Sequence, residues 1–189
     1  MPQIAQSKIL ILATDGFEQS ELEVPLNSLR DKGATVHVAS PAKTLSPGEI
    51  RGWDKADWGR TVPVDQTLEQ VDANAYDALV LPGGVINPDK LRVEKKAVDT
   101  IRRFVADGKV VAAICHGPWL LAEAGVTAGL RMTSYQSIRT DMENAGGDWV
   151  DEEVVTDQGI ITSRAPKDLP AFVAKIVEEI EEGRHERAA

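Results

Sequence analysis

The sequence predicts an α/β protein of the doubly wound class, in which a mostly parallel sheet carries helices on both faces. Two observations lead to this prediction. Short apolar runs alternate along the chain with longer segments whose apolar residues recur at helical spacing, which is typical of successive β-α-β units. The apolar runs are also unbroken, as in strands that are buried on both faces of a parallel sheet.

The elements of the first half follow from this pattern. Lys8 to Ala13 is a continuous apolar run and predicts the first strand. The acidic segment from Phe17 onwards carries leucines on one helical face, and Gly33 is its stop signal. Thr35 to Ala39 alternates as a second strand. Tyr76 to Leu81 is a further buried strand, and it leads directly into a Pro-Gly-Gly turn.

Residues 40–65 interrupt the alternation with prolines, glycines and two tryptophans. We interpret them as an irregular insert of the same domain, with short strands at Ile50–Trp53 and Thr61–Val64. Trp53 and Trp58 are expected to pack on the body of the protein or on a partner subunit, because a wet indole is costly.

The second half continues the alternation of helices and strands. Its predicted helices cover residues 94–107, from Pro118 to about 124, near 137–144, and from about Asp168 onwards. Its predicted strands are Val110–Ile114 and two short ones around residues 154–155 and 160–162. The final helix places its apolar residues on one clean face before a polar, acidic tail.

Composition narrows the function classes. The 189 residues fit one domain, with an ordered core at about 7–182 and a polar tail at 183–189. A net charge of −9 argues against a general nucleic-acid binder. No apolar run approaches the roughly 20 residues that span a bilayer, and the first residues lack the pattern of a signal peptide. A single cysteine favours a reducing compartment, so a cytoplasmic protein is expected. No cofactor and no bound metal are expected.

That cysteine stands where chemistry is expected. Cys115 follows a buried strand, and His116, a glycine and Pro118 come between it and a helical segment. Proline is well tolerated at the first position of a helix, and a thiol at a helix N-terminus is shifted towards thiolate. The alternative is a buried structural cysteine, since free cysteines are often buried. We favour a nucleophile.

Residues that could take part in catalysis follow the carboxyl ends of three predicted strands. Ligands of doubly wound sheets bind beyond these ends. The candidate residues are Asp15–Glu18, the turn with Gly83 and Gly84, and Cys115-His116. Glycines allow close approach of backbone N–H groups, which suits an oxyanion site. His116 is the obvious general acid or base, but adjacent residues do not always face each other. A distant orienting carboxylate is therefore expected.

Four motifs together resemble the PfpI family. They are Ala113-Ile114-Cys115-His116-Gly117-Pro118, Leu81-Pro82-Gly83-Gly84, Phe17-Glu18-Gln19-Ser20-Glu21-Leu22 and Thr162-Ser163-Arg164. The family contains intracellular cysteine hydrolases and stress proteins. Its flavodoxin-like fold, the class I glutamine amidotransferase-like fold, is shared with the Parkinsonism-associated protein deglycase. The resemblance extends from Lys8 to about Ile180.

The resemblance implies roles for particular residues. Cys115 matches the nucleophile on its elbow between strand and helix, and His116 matches the neighbouring histidine. Glu18 matches a protonated glutamate that lies against the sulfur, whereas Glu21 is expected to be a solvated helix residue. Asp89 matches a carboxylate that a neighbouring subunit supplies to the histidine. The active site would then be completed across the interface of a homodimer or hexamer.

The resemblance also implies a range of functions. The leading hypothesis is a stress-response enzyme that uses Cys115 and His116 on small reactive carbonyls, or on their adducts with proteins or peptides, as a glyoxalase or deglycase does. An intracellular cysteine peptidase is the alternative enzyme. A redox sensor or chaperone that works through oxidation of Cys115 is the alternative from another class. Glutamine amidotransferase activity is not expected, because His185 lies in the tail without a partner pattern.

Overall fold

The computed structural model describes residues 3–185. Residues 186–189 of the predicted polar tail lie outside this range. Twelve strands are present in the described chain: β1 (Lys8–Leu12), β2 (Phe17–Glu18), β3 (Thr35–Ser40), β4 (Glu49–Asp54), β5 (Asp57–Pro63), β6 (Gln66–Thr67), β7 (Ala78–Leu81), β8 (Val110–Ile114), β9 (Arg131–Met132), β10 (Asp148–Trp149), β11 (Val154–Asp157) and β12 (Ile160–Ser163).

Six α-helices connect these strands. They are α1 (Gln19–Asp31), α2 (Ile86–Leu91), α3 (Lys95–Ala106), α4 (Trp119–Ala124), α5 (Arg139–Asn144) and α6 (Leu169–Glu182). Among the described residues, we find no helix that is both long enough and apolar enough to cross a membrane.

The central sheet has seven strands in the order β11-β12-β8-β7-β1-β3-β6. Every neighbouring pair is parallel except β11 with β12. Apolar side chains on one face of the sheet pack with α1 and α6, and those on the other face pack with α3, α4 and α5. The doubly wound, mostly parallel α/β class is therefore confirmed.

The predicted insert forms a regular hairpin. Strands β4 and β5 pair antiparallel, and β2 adds to β4 as a third, parallel strand. The helix predicted from Phe17 onwards therefore starts two residues later, at Gln19, because Phe17 and Glu18 belong to this small sheet. Trp53 and Trp58 pack edge to face against each other, with ring centroids 5.5 Å apart.

The sheet also explains where the site lies. β1, β7 and β8 are adjacent and parallel, so their carboxyl ends open on the same edge. The segments that follow these strands begin at Ala13, Pro82 and Cys115. The short helix α2, which the sequence pattern did not predict, follows the Pro-Gly-Gly turn directly.

Candidate active site

Cys115 occupies a strained turn between β8 and α4. Its φ angle is +62°, in the left-handed region that residues other than glycine rarely adopt. Its N–H donates to the Ser163 carbonyl (3.0 Å), and its carbonyl accepts from the Tyr135 N–H (2.8 Å). These two bonds help to hold a conformation that costs on the order of 1–3 kcal/mol. The predicted elbow is present, and Cys115 is only 6% exposed.

Glu21 lies beside this thiol in the first turn of α1. Its side chain is fully buried, and Oε2 accepts a hydrogen bond from the Gly83 N–H (2.8 Å). The carboxyl also interacts with the Cys115 thiol. Oε1 is buried and makes no ordinary hydrogen bond to any described residue. Burial, reinforced by the negative charge of Glu18, raises the pKa of Glu21 from 4.5 to about 8.

The expectation that Glu18 lies against the sulfur is wrong, as is the expectation that Glu21 is solvated. Glu18 is the N-cap of α1 and accepts hydrogen bonds from the Glu21 N–H (2.8 Å) and the Ser20 hydroxyl. The physical reason is the residue at which α1 begins, because it decides which side chains face the core. The carboxyl that ends the small strand β2 folds back to cap α1, and Glu21 is on the face that turns inward.

The Pro-Gly-Gly turn supplies one backbone donor to the sulfur rather than two. The N–H groups of Gly84 and His116 interact with the Cys115 sulfur and act to lower its pKa, whereas the Gly83 N–H donates to Glu21 (2.8 Å), with which Gly84 also interacts. Of the two glycines predicted as oxyanion donors, Gly84 directs its N–H to the sulfur and Gly83 does not; the backbone N–H of His116 is the second donor, as the sequence also predicts. Two N–H groups on one sulfur favour its negative charge.

Asn87, which sequence reasoning missed, fixes the shape of this turn. It is fully buried on α2. Its amide oxygen accepts from the Thr14 N–H (2.8 Å), and its nitrogen donates to the Pro82 carbonyl (2.9 Å). Asn87 thus joins the ends of β1 and β7, and these bonds help to place Gly84 at the thiol.

The thiol and the carboxyl share their protons. Burial and the charge of an ionised Glu21 both raise the pKa of Cys115, while the two N–H groups lower it. When Glu21 holds its proton, the charge repulsion is absent and a carboxylic acid faces the sulfur. Burial outweighs the N–H groups, so the pKa of Cys115 lies above its ordinary value, and the thiolate forms most readily when Glu21 is protonated.

His116 contacts the sulfur through its side chain. Its Nδ1 lies 3.2 Å from Cys115 Sγ, and its Nε2 lies 3.2 Å from the Ser137 hydroxyl. The ring stacks on Tyr135 at 4.9 Å and meets the edge of Trp119 at 5.1 Å. Burial lowers the pKa of His116, so the imidazole is neutral at pH 7. The thiol and the imidazole of these adjacent residues thus face each other, which the sequence left open.

Within a single chain, Asp89 does not contact the residues of this site. It is exposed in the first turn of α2, and in the described part of the chain no side-chain hydrogen bond or ion pair involves it. Its predicted role, as a carboxylate given to His116 by another subunit, stays a prediction.

His185 lies far from the nucleophile. Its backbone N–H donates to the Gly108 carbonyl (2.9 Å) just before β8, at the edge of the sheet opposite Cys115. Its Nε2 lies 3.2 Å from Glu179 Oε2. Glu179, Glu182 and His185 are spaced as metal ligands can be, within 4.8 Å of one another, but they are remote from the thiol.

A pocket of about 430 Å³ lies on the far side of Tyr135 and Ser137, and neither Cys115 nor His116 belongs to its lining. Tyr135 and Ser137, which contact the imidazole, form part of its wall, and Arg164 lies on its lining. The guanidinium is held by Asp168 (2.9 and 3.0 Å) and Asp151 (2.8 Å). The pocket thus has room for a small molecule, separated from the acid–base residue by Tyr135 and Ser137.

Comparison with known proteins agrees with this geometry. A model of the DJ-1/PfpI family matches residues 7–179. Deglycase TK1284 of Thermococcus kodakarensis is 45% identical over 170 residues, covering 90% of this chain and 97% of that protein. General stress protein 18 of Bacillus subtilis is 40% identical over 166 residues, covering 87% and 92%. The structure of Drosophila melanogaster DJ-1beta matches with a TM-score of 0.81 and 30% identity, covering 94% and 95%. The resemblance drawn from the sequence is confirmed: the chain belongs to the DJ-1/PfpI family.

Proposed function

We propose that this protein is a cysteine-dependent stress-response enzyme that acts on small reactive carbonyls or on their adducts with proteins. One observation supports this most directly: a buried thiol on a strained elbow faces a protonatable carboxyl, two N–H donors and a neutral imidazole. The name of the Thermococcus relative, a deglycase, supports the same class of substrate. The name of the Bacillus relative, a general stress protein, supports a role in the stress response.

The first step requires a thiolate. A protonated Glu21 adds no negative charge beside the Cys115 sulfur, and the N–H groups of Gly84 and His116 stabilise the thiolate when it forms. The thiolate adds to the aldehyde carbon of methylglyoxal, and a C–S bond forms while the carbonyl π electrons move to oxygen. That oxygen takes a proton, which gives a hemithioacetal.

The second step is a proton transfer by His116. As general base, the imidazole removes the proton on the former aldehyde carbon and returns a proton to the neighbouring carbon, which converts the hemithioacetal into a lactoyl thioester. Water then cleaves the C–S bond and releases lactate and the thiol. An adduct on an amine reaches the same hemithioacetal when the thiolate displaces the amine, which leaves with a proton.

A substrate panel on the wild type and on Cys115→Ala tests this proposal. Wild-type protein is expected to convert methylglyoxal to lactate and to release amines from freshly formed methylglyoxal adducts. Loss of the nucleophile is expected to lower both rates at least about 10³-fold, as loss of a covalent catalyst does. Lactate formation that is equal in the two proteins would refute the proposed chemistry.

The same panel separates the alternatives. Cleavage of casein that is lost in Cys115→Ala would favour an intracellular peptidase. A gain of about 32 Da after mild peroxide, with no turnover, would favour a sensor that forms sulfinic acid. We further propose a cytoplasmic location, because the lone thiol needs reducing conditions, and a homodimer or hexamer in which Asp89 of another subunit completes the site.

A further inference from the structure

We propose that Ser137 is a positioning residue that fixes which nitrogen of His116 carries the proton, and that it thereby stabilises the Cys115 thiolate. This inference deepens the proposed function, since it concerns the same thiol, but it does not depend on the substrate. Ser137 lies 22 residues after the nucleophile, in the 3-10 turn Gln136–Ile138 that precedes α5.

The geometry leaves the ring little freedom. One nitrogen of His116 faces Cys115 Sγ, and the other faces the Ser137 hydroxyl, each at 3.2 Å. Tyr135 stacks on the ring with an interplanar angle of 25°, and Trp119 packs against it at 65°. The Tyr135 N–H also donates to the carbonyl of Cys115. The segment that carries Ser137 is thus tied to the elbow itself.

A neutral imidazole has one N–H, and the partner of the other nitrogen decides where it is. The distance of 3.2 Å suits a Ser137 O–H that donates to Nε2 and also a ring N–H that donates to Ser137. We infer the first arrangement, in which the ring proton is on Nδ1 and points at the sulfur. An N–H towards sulfur stabilises the thiolate. Without the hydroxyl, the proton is free to move to Nε2, and the Nδ1 lone pair then faces the sulfur. That arrangement favours the neutral thiol, which donates its own proton to Nδ1.

Ser137 thus reaches, within one chain, the nitrogen of His116 that points away from the sulfur. The titratable groups around the thiol are Glu21 and His116. On the elements packed against the imidazole, Asp141 of α5 accepts from the Trp119 indole (2.8 Å), and the Arg92 guanidinium lies over the same ring. Both charges are retained in every variant proposed below, so a change in the thiol reports on the hydroxyl.

The test is the pH dependence of alkylation of Cys115 by iodoacetamide, which needs no substrate and reports on the only cysteine of the chain. Ser137→Ala is expected to shift the profile to higher pH by about one unit, which is about a tenfold slower reaction on its rising limb. Ser137→Thr, which keeps the hydroxyl, is expected to restore the wild-type profile. In ¹⁵N spectra, His116 is expected to carry its proton on Nδ1 in the wild type and to lose that preference in Ser137→Ala.

Thr140→Ala is the matched control, because it removes an exposed hydroxyl three residues further along. Circular dichroism confirms that each variant is folded. A Ser137→Ala profile that superimposes on the wild type overturns the inference, and so does a shift that Ser137→Thr fails to restore. If the orienting group is instead Asp89, Asp89→Asn shifts the profile and Ser137→Ala does not. Because alkylation is independent of turnover, failure of the carbonyl chemistry leaves this result interpretable.

Discussion

Glu21→Gln is expected to stabilise the protein by about 3 kcal/mol at pH 7 and to have little effect near pH 4. The buried carboxyl has a pKa of about 8 in the folded protein, against an ordinary value of 4.5. Between these two values the unfolded chain has released the proton and the folded chain still holds it. Stability of the wild type therefore falls as pH rises from 4.5 to 8. Glutamine does not titrate, so this loss is absent from the variant.

Urea unfolding of both proteins between pH 4 and pH 7.5 measures this difference. The amide oxygen of the introduced glutamine still accepts from the Gly83 N–H, so the hydrogen bond that measures 2.8 Å in the wild type is preserved. Glu69→Gln, which removes an exposed carboxylate, is the control and is expected to change stability by less than about 0.5 kcal/mol. Stability curves that run parallel for wild type and Glu21→Gln would show that Glu21 is ionised in the fold. The same substitution is expected to slow alkylation of Cys115, because an amide N–H donates a weaker hydrogen bond to the thiolate than the O–H of a protonated Glu21 does.

Gly83→Ala is expected to destabilise the protein by about 3 kcal/mol, the upper part of the range for overpacked sites. A Cβ at this position would lie 2.4 Å from Glu21 Oε2, 2.7 Å from Cys115 Cβ and 2.7 Å from the Ile114 carbonyl. Relief requires the turn to move away from the elbow, which also withdraws the Gly84 N–H from the sulfur. A fall in melting temperature of about 6–12 °C and a large loss of alkylation rate are expected together.

Gly125→Ala separates this steric effect from the general cost of replacing a glycine. Gly125 has a φ of +72°, but a methyl group added at this position would meet nothing within 4 Å. Its replacement is expected to cost about 1 kcal/mol through backbone strain alone and to leave the reactivity of Cys115 unchanged. Equal losses of stability in the two variants would mean that the contacts around Gly83 relax freely.

Much of the fold follows from the sequence because its strands are buried on both faces. Such strands leave unbroken apolar runs, and β1, β7 and β8 all contain them. The elbow at Cys115 was predictable for a related reason, since an apolar run that stops at Cys-His-Gly-Pro leaves few other backbone paths. Short elements such as α2 were missed, because six residues carry too little periodicity to recognise.

The rest of the site could not be predicted from the sequence, for two physical reasons. Glu18 and Glu21 both follow the first strand, and only the start of α1 decides which of them caps the helix and which points inward; helix starts are uncertain by a few residues. In the structure, the pairing of Phe17 with Gly52 keeps the chain extended up to Glu18, so α1 begins only after it. Ser137 reaches His116 through tertiary packing from an irregular segment, and no local spacing encodes such a contact.

One consequence concerns dilution. Glu21, Gly84 and His116 act on the sulfur from within a single chain, and Ser137 of the same chain contacts His116, so activation of the thiol belongs to the protomer. Alkylation of Cys115 is then independent of protein concentration, even where an assembly falls apart. Turnover that relies on Asp89 from a second copy instead declines on dilution. Comparing the two rates across a dilution series therefore distinguishes what the protomer does alone from what the assembly adds.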